Sequence, residues 1–110
     1  MAGKFELKKS SNDQFYFSLL AVNGESIFES EAYTSKAGAE KGIESVKANA
    51  LINERYERKL ATNGQPFFVL KAGNGEPIGR SETYSSESAM ENGIKSVKYN
   101  APDALTQDLT

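Results

Sequence analysis

The chain has 110 residues, 38% of them hydrophobic and 25% charged, with a formal net charge of -2; these values describe one ordinary globular domain and exclude a disordered chain. Cysteine and histidine are both absent, which removes thiol nucleophiles, disulfides, imidazole bases and the usual zinc and copper ligands. Residues 1–53 carry 6 basic and 7 acidic side chains and residues 54–110 carry 7 and 8, so neither half is a basic module and no overall attraction to nucleic acid or anionic membrane is expected.

The opening "MAGKFELKKSSNDQ" has no apolar run of signal-peptide length, and no segment approaches the roughly 20 apolar residues that span a bilayer. A cytoplasmic protein without membrane contact is the expectation. The first predicted strand places Phe5 and Leu7 inward and Glu6 and Lys8 outward. A turn at Asn12-Asp13 leads into "QFYFSLLAV", whose alternation puts Phe17, Leu19 and Ala21 on the core face and Tyr16, Ser18 and Leu20 on the other. Asn23-Gly24 marks a second hairpin, because both residues tolerate positive φ. The third strand is irregular: Ile27 and Tyr33 share parity with Glu29 and Glu31 between them, which predicts a bulge.

Ser35 then caps a helix, its hydroxyl taking a backbone N–H that the first turn leaves unpaired. Ala39, Ile43, Val46 and Ala50 form the core-facing stripe. Lys47 favours the negative end of the helix dipole and Asn49 helps to end the helix.

From Glu54 the chain repeats itself. Gly3–Ala50 laid over Glu54–Ala101, offset by 51 without a gap, gives 23 identities in 48 positions. A repeat of this length is one supersecondary unit that cannot bury its apolar face alone. The expectation is a single domain, 1–110, made of repeat one (3–53) and repeat two (54–110) about a pseudo-twofold axis. In the second copy Tyr56 and Leu60 are expected inward and Glu57 and Lys59 outward; turns fall at Asn63-Gly64 and Asn74-Gly75. "QPFFVLKAG" places Phe68, Leu70 and Ala72 inward and Phe67, Val69 and Lys71 outward. Ser86 caps the second helix, with Met90, Ile94, Val97 and Ala101 as its stripe, Lys98 near its end and Asn100 terminating it. Gly42 and Gly93 each cost about 1 kcal/mol relative to alanine inside a helix, so a close backbone approach to the sheet or to the other helix is expected there.

"NGE", "SExYxS" and "GIxSVKxNA" occur in both copies, and "QDLT" closes the chain. In these residues, over nearly its whole length, the chain resembles the YegP-like family of small bacterial proteins, built from single or tandem repeats. The resemblance implies a β-β-β-α-β unit, two of which merge into one sheet and exchange the last strand. That strand would lie near Leu51–Arg55, running into the second unit, and near Ala104–Leu109. It implies no activity, substrate or cofactor. Phe28 faces Gly79, and Leu51-Ile52-Asn53 faces Pro102-Asp103-Ala104, so the strand ends are the departures. The expected fold is α+β: two tandem β-β-β-α-β repeats forming one antiparallel sheet with two helices on one face.

Three groups of residues invite a functional reading. "GNGEPIG" at 73–79 lacks the G-x-G-x-x-G spacing and leads into a strand, so it reads as a hairpin turn. Ser30-Glu31-x-Tyr33-x-Ser35 and Ser81-Glu82-x-Tyr84-x-Ser86 would suggest a nucleophile and base, but no imidazole or motif lysine would activate the serine; helix capping and packing of the tyrosine explain them with less. Glu31 and Glu82 meeting across the axis would offer two carboxylates to a hard cation such as Mg²⁺, a weak ligand set, and no cofactor or metal is assigned. The outer sheet face is the preferred candidate, with Tyr16, Leu20, Lys59, Phe67, Val69 and Lys71 as its binding residues and Lys8 nearby. Such a face suits self-association or an unknown protein partner. Single-stranded nucleic acid is the lesser alternative, because Glu6 and Glu57 share the face. The expected function is a small, non-catalytic binding or interaction module, with an enzyme using Glu31 and Tyr33 as the remotest reading.

Overall fold

The computed structural model describes residues 3–110. In the first half come β1 (Lys4–Lys9), β2 (Phe15–Leu20), β3 (Ser26–Ser30) and α1 (Lys36–Asn49). A short 3-10 turn, Asn53–Arg55, leads into β4 (Tyr56–Leu60), β5 (Pro66–Lys71), β6 (Pro77–Arg80), α2 (Glu87–Asn100) and β7 (Leu105–Asp108). All strands belong to one seven-stranded sheet in the order β4-β5-β6-β3-β2-β1-β7. The expected α+β fold is present. β7 lies parallel to β1 and every other pairing is antiparallel, which makes the sheet mixed.

The four hairpin turns share one geometry. Ala21 N–H donates to Glu25 O and Gly24 N–H returns to Ala21 O; Asn23 Oδ1 also accepts from Glu25 N–H at 3.0 Å, a bond that Asn63 and Asn74 repeat and that Ser10 Oγ replaces in the first turn. Gly24, Gly64 and Gly75 have φ of 88°, 82° and 86°, and Asp13 takes 64° in the same place. Asn12, Asn23, Asn63 and Asn74 do not adopt positive φ, so each loop is a three-residue turn closed by one left-handed residue, not the two-residue kind with both residues left-handed. The predicted bulge is found: Leu19 pairs with Phe28 and Leu20 with Ser26, leaving Ile27 unpaired, and Ile78 is its counterpart between Gly79 and Pro77.

Helix and sheet meet in one core. Phe5, Phe17, Phe28, Phe68, Leu7, Leu19 and Leu70 are fully buried there with Ile43, Val46, Ile94 and Val97, each large side chain contributing about 1.5–3 kcal/mol. Phe17 stacks on Tyr33 at 6.3 Å and meets Phe5 edge-on at 5.7 Å; Phe68 repeats this with Tyr84 at 6.4 Å and Tyr56 at 5.7 Å. Ser35 and Ser86 cap the helices, accepting from Gly38 and Ala89 N–H at 3.0 and 3.1 Å.

Three sequence expectations fail locally. Leu60 is not inward: it is 68% exposed, because the far end of β4 runs out along a sheet edge. Leu51–Arg55 is not a strand but a turn followed by the 3-10 segment, since this stretch must carry the chain from the end of α1 straight into β4. At Gly42 and Gly93 the close approach is made by a side chain instead of backbone. A Cβ on Gly42 would stand 2.8 Å from Tyr33 Cζ and 2.9 Å from Phe17 Cε2, and one on Gly93 would stand 2.6 Å from Tyr84 Cζ. The glycines make room for tyrosine rings lying across the helices.

The centre of the sheet fixes the symmetry. β3 and β6 pair through Glu29↔Arg80 and Ser30↔Gly79. Arg80 is Glu29 advanced by the repeat offset of 51, so the pseudo-twofold axis passes through that pair.

Candidate functional site

With both helices on one side, alternation leaves a helix-free outer face. The register strings one row across it: Glu57↔Val69↔Arg80↔Glu29↔Ser18↔Glu6. Next to that row, Lys59 pairs with Phe67 in one half and Lys8 with Tyr16 in the other. The predicted face therefore divides into two patches. Phe67, Val69, Lys59 and Lys71 gather on β4 and β5, while Tyr16, Leu20 and Lys8 gather on β1 and β2. Leu20 is buried, and Tyr16, Phe67 and Val69 are half-buried.

Each patch carries a carboxylate between lysines. Glu57 receives Lys71 at 2.8 Å and Lys59 at 3.9 Å, and the hydrogen bond from Lys71, aided by both charges, holds its carboxyl below the usual range. Glu6 receives Lys4 and Lys8, both at 3.6 Å. Lys8 Nζ also lies 5.7 Å from the centre of the Tyr16 ring and 3.5 Å from Ser18 Oγ, so it covers that aromatic surface.

Among the described residues no cation lies over the Phe67 ring. It lines a half-open hollow of about 320 Å³ beside the axis, together with Ala61, Arg80, Glu29, Glu82 and Thr83. Sequence reasoning placed Phe67 on this face but missed Glu29 and Arg80. Their signal was the charge reversal at one aligned position, and reading it needs the rule that a residue on a twofold axis meets its own counterpart.

The other candidates take structural roles. Ser30 Oγ accepts from Phe17 N–H at 2.9 Å and donates to Glu31 O at 2.7 Å; Ser81 Oγ accepts from Phe68 N–H at 3.1 Å and donates to Glu82 O at 2.8 Å. Both hydroxyls replace ladder partners for the neighbouring strand. Tyr33 and Tyr84 are packed as described above, and burial raises both phenols, with Glu31 and Glu82 adding to the effect.

Glu31 and Glu82 do not meet. Glu31 N–H donates to Ile78 O, so the two acids lie two positions to either side of the axis, about 13 Å apart along the strands. Among the described residues no cluster of three or more carboxylates stands ready for a metal ion. The segment 73–79 is a hairpin turn entering β6.

The family described as a domain of unknown function, DUF1508, matches twice, at residues 10–57 and 61–108. The UPF0339 protein of Shewanella oneidensis is 54% identical over 110 residues, covering all of both chains. The solution NMR structure of a UPF0339 protein from Shewanella oneidensis superposes with a TM-score of 0.94 at 54% identity, over 100% of this chain and 93% of that one. That of yegP from E. coli, a protein of unknown function, gives 0.95 at 53% identity over 100% and 95%.

Proposed function

The chain belongs to the DUF1508 family and carries its domain twice, and from that premise we propose that it is a small, non-catalytic module that binds a protein partner through the outer sheet face around Phe67. One observation carries the reading: the hollow sets the apolar Phe67, Phe28 and Ala61 beside the opposite charges of Glu29 and Arg80, a mixture of apolar and polar groups of the kind that protein interfaces use. Nucleic acid is less well supported. Glu6 offsets one of the two lysines that share it and Glu57 does the same in the other patch, and Lys8 occupies the ring of Tyr16 that a base would stack upon. The serines of the repeated motif spend their hydroxyls on backbone, which supports a role without catalysis.

A cytoplasmic site of action belongs to the same reading; no helix among the described residues is long and apolar enough to cross a membrane. The immobilised chain should retain a specific protein from bacterial lysate and lose it on Phe67→Ala, while a labelled single-stranded oligonucleotide shows no salt-dependent shift. A chain that retains nothing and stays monomeric at high concentration would end the proposal.

A further inference from the structure

The two edges of the sheet are not equivalent. β1 is covered by β7, running parallel in the register Lys4↔Leu105 to Leu7↔Asp108, with Leu109 N–H donating to Leu7 O at 2.8 Å. β4 is the counterpart of β1 and, among the described residues, ends the sheet uncovered. The chain that would supply its eighth strand is the stretch after α1, and that stretch has become β4 itself.

The free edge offers a complete set of backbone groups. Phe68 turns its N–H and C=O towards Ser81, so Phe67 and Val69 turn theirs towards Lys59 and Glu57. Arg58 and Leu60 consequently point their N–H and C=O groups away from the sheet, as Leu7 does in the other half. Edges of this kind are where extended peptides add.

Charge then selects the occupant. In the covered half Asp108 of β7 pairs with Lys36, the first residue of α1. The counterpart of Lys36 is Glu87, the first residue of α2, and Glu87 forms no ion pair among the described residues. Beside it lies a groove of about 230 Å³ whose apolar walls are Leu60, Pro66 and Met90. Arg58, Lys59 and Glu91 also line it; Arg58 and Glu91 neutralise each other through two bonds of 2.5 and 3.1 Å and Lys59 pairs with Glu57 at 3.9 Å, so among the described residues Glu87 is the charge of the groove left without a partner. The aliphatic stem of a lysine or arginine fits the walls, and its charge meets Glu87.

We infer that the open edge of β4 is a docking site for an extended peptide that runs parallel to it and presents a basic side chain to Glu87. The site is separate from the Phe67 hollow and extends the functional reading to a second surface. Both self-occupants are opposed by charge. The β7 of another copy would bring Asp108 to Glu87, and antiparallel pairing of two β4 edges centred on Arg58 would bring Arg58 to Arg58.

The test titrates the isotope-labelled full chain with two synthetic octapeptides at low salt. One is the sequence of residues 103–110, Asp-Ala-Leu-Thr-Gln-Asp-Leu-Thr; the other carries lysine in place of the second aspartate. The lysine peptide should shift the amides of Arg58, Leu60 and the first turn of α2 and bind roughly fivefold to tenfold tighter than the parent peptide. Glu87→Lys should reverse the preference without unfolding the chain. Equal binding of the two peptides, an unmoved β4, an indifferent Glu87→Lys variant, or a peptide-free dimer through β4 would each overturn the inference.

Discussion

Tyr84 lies across α2 so closely that a Cβ on Gly93 would stand 2.6 Å from its Cζ. Tyr33 and Gly42 repeat the arrangement, which explains why both helices carry a glycine that costs about 1 kcal/mol of helix propensity. Gly93→Leu should therefore lower stability by about 2 kcal/mol through overpacking, seen as a clear fall in melting temperature. A double-mutant cycle separates this cause from a general intolerance. Gly93→Ala should destabilise the parent chain but stabilise a Tyr84→Ala background, where the propensity gain is opposed only by Phe68 Cε2 at 3.3 Å, a contact that a small shift of the ring relieves. The same sign in both backgrounds would remove the tyrosine from the explanation.

The glycines show where sequence reasoning stopped. Ile43 and Val46 were legible as a buried stripe because helical spacing alone fixes their face, and Phe17 and Phe68 because strand alternation does. The ring above Gly42 belongs to another element, and no local period carries that information. Leu60 has the inward parity of Tyr56, yet parity says nothing of where the covering layer ends. On the outer face, alternation placed Phe67 and Tyr16 correctly, while the hollow at Phe67 depends on β3 and β6 being neighbours. That adjacency crosses the repeats and appears only once Glu29 is known to oppose Arg80.

Tyr56 is buried and donates its phenol to Ala50 O at 2.7 Å, closing the end of α1. Burial raises its pKa well above the ordinary value of 10.0. A raised folded-state pKa means that this contribution is complete below about pH 10 and is lost as the pH climbs beyond it. The chain should thus lose stability in strong alkali, with Tyr33 and Tyr84, also raised, adding to the slope. Tyr56→Phe should cost about 1 kcal/mol at neutral pH by leaving the carbonyl unpaired, and its alkaline slope should be flatter than the parent's in denaturant melts.

Arg58 binds Glu91 through both carboxylate oxygens, and that contact lowers the Glu91 pKa from the ordinary 4.5, with further help from Lys98 and Lys95. A depressed folded-state pKa gives stability that is present above about pH 4.5 and disappears as the pH falls through the folded value. The pair is largely exposed, so its contribution stays under about 1 kcal/mol. Glu91→Gln should lower the melting temperature slightly at pH 7, by a margin that shrinks as the pH falls below about 4.5. A difference that grew on acidification would reverse the assignment.

The two halves need each other for reasons that go beyond shared core. Among the described residues β3 has its inner neighbour in β6, β1 is covered by β7, and α1 packs on β5 and β6 as well as on β1 and β2. Fragments 1–53 and 54–110 should each lack a cooperative melt as monomers at micromolar concentration, and mixing them should restore the native amide spectrum. The centre of the sheet also predicts that the mixture outcompetes either fragment paired with itself. Phe28 Cζ would stand 2.7 Å from a Cβ on Gly79, so the ring occupies space that only glycine leaves open. Two copies of the first fragment would bring two such rings together and oppose Glu29 to Glu29. Two copies of the second would leave the space empty and oppose Arg80 to Arg80. Size measurements on the mixture should find one fragment of each kind; a stable solitary half, or homodimers in equal measure, would show that the halves had not diverged to fit one another.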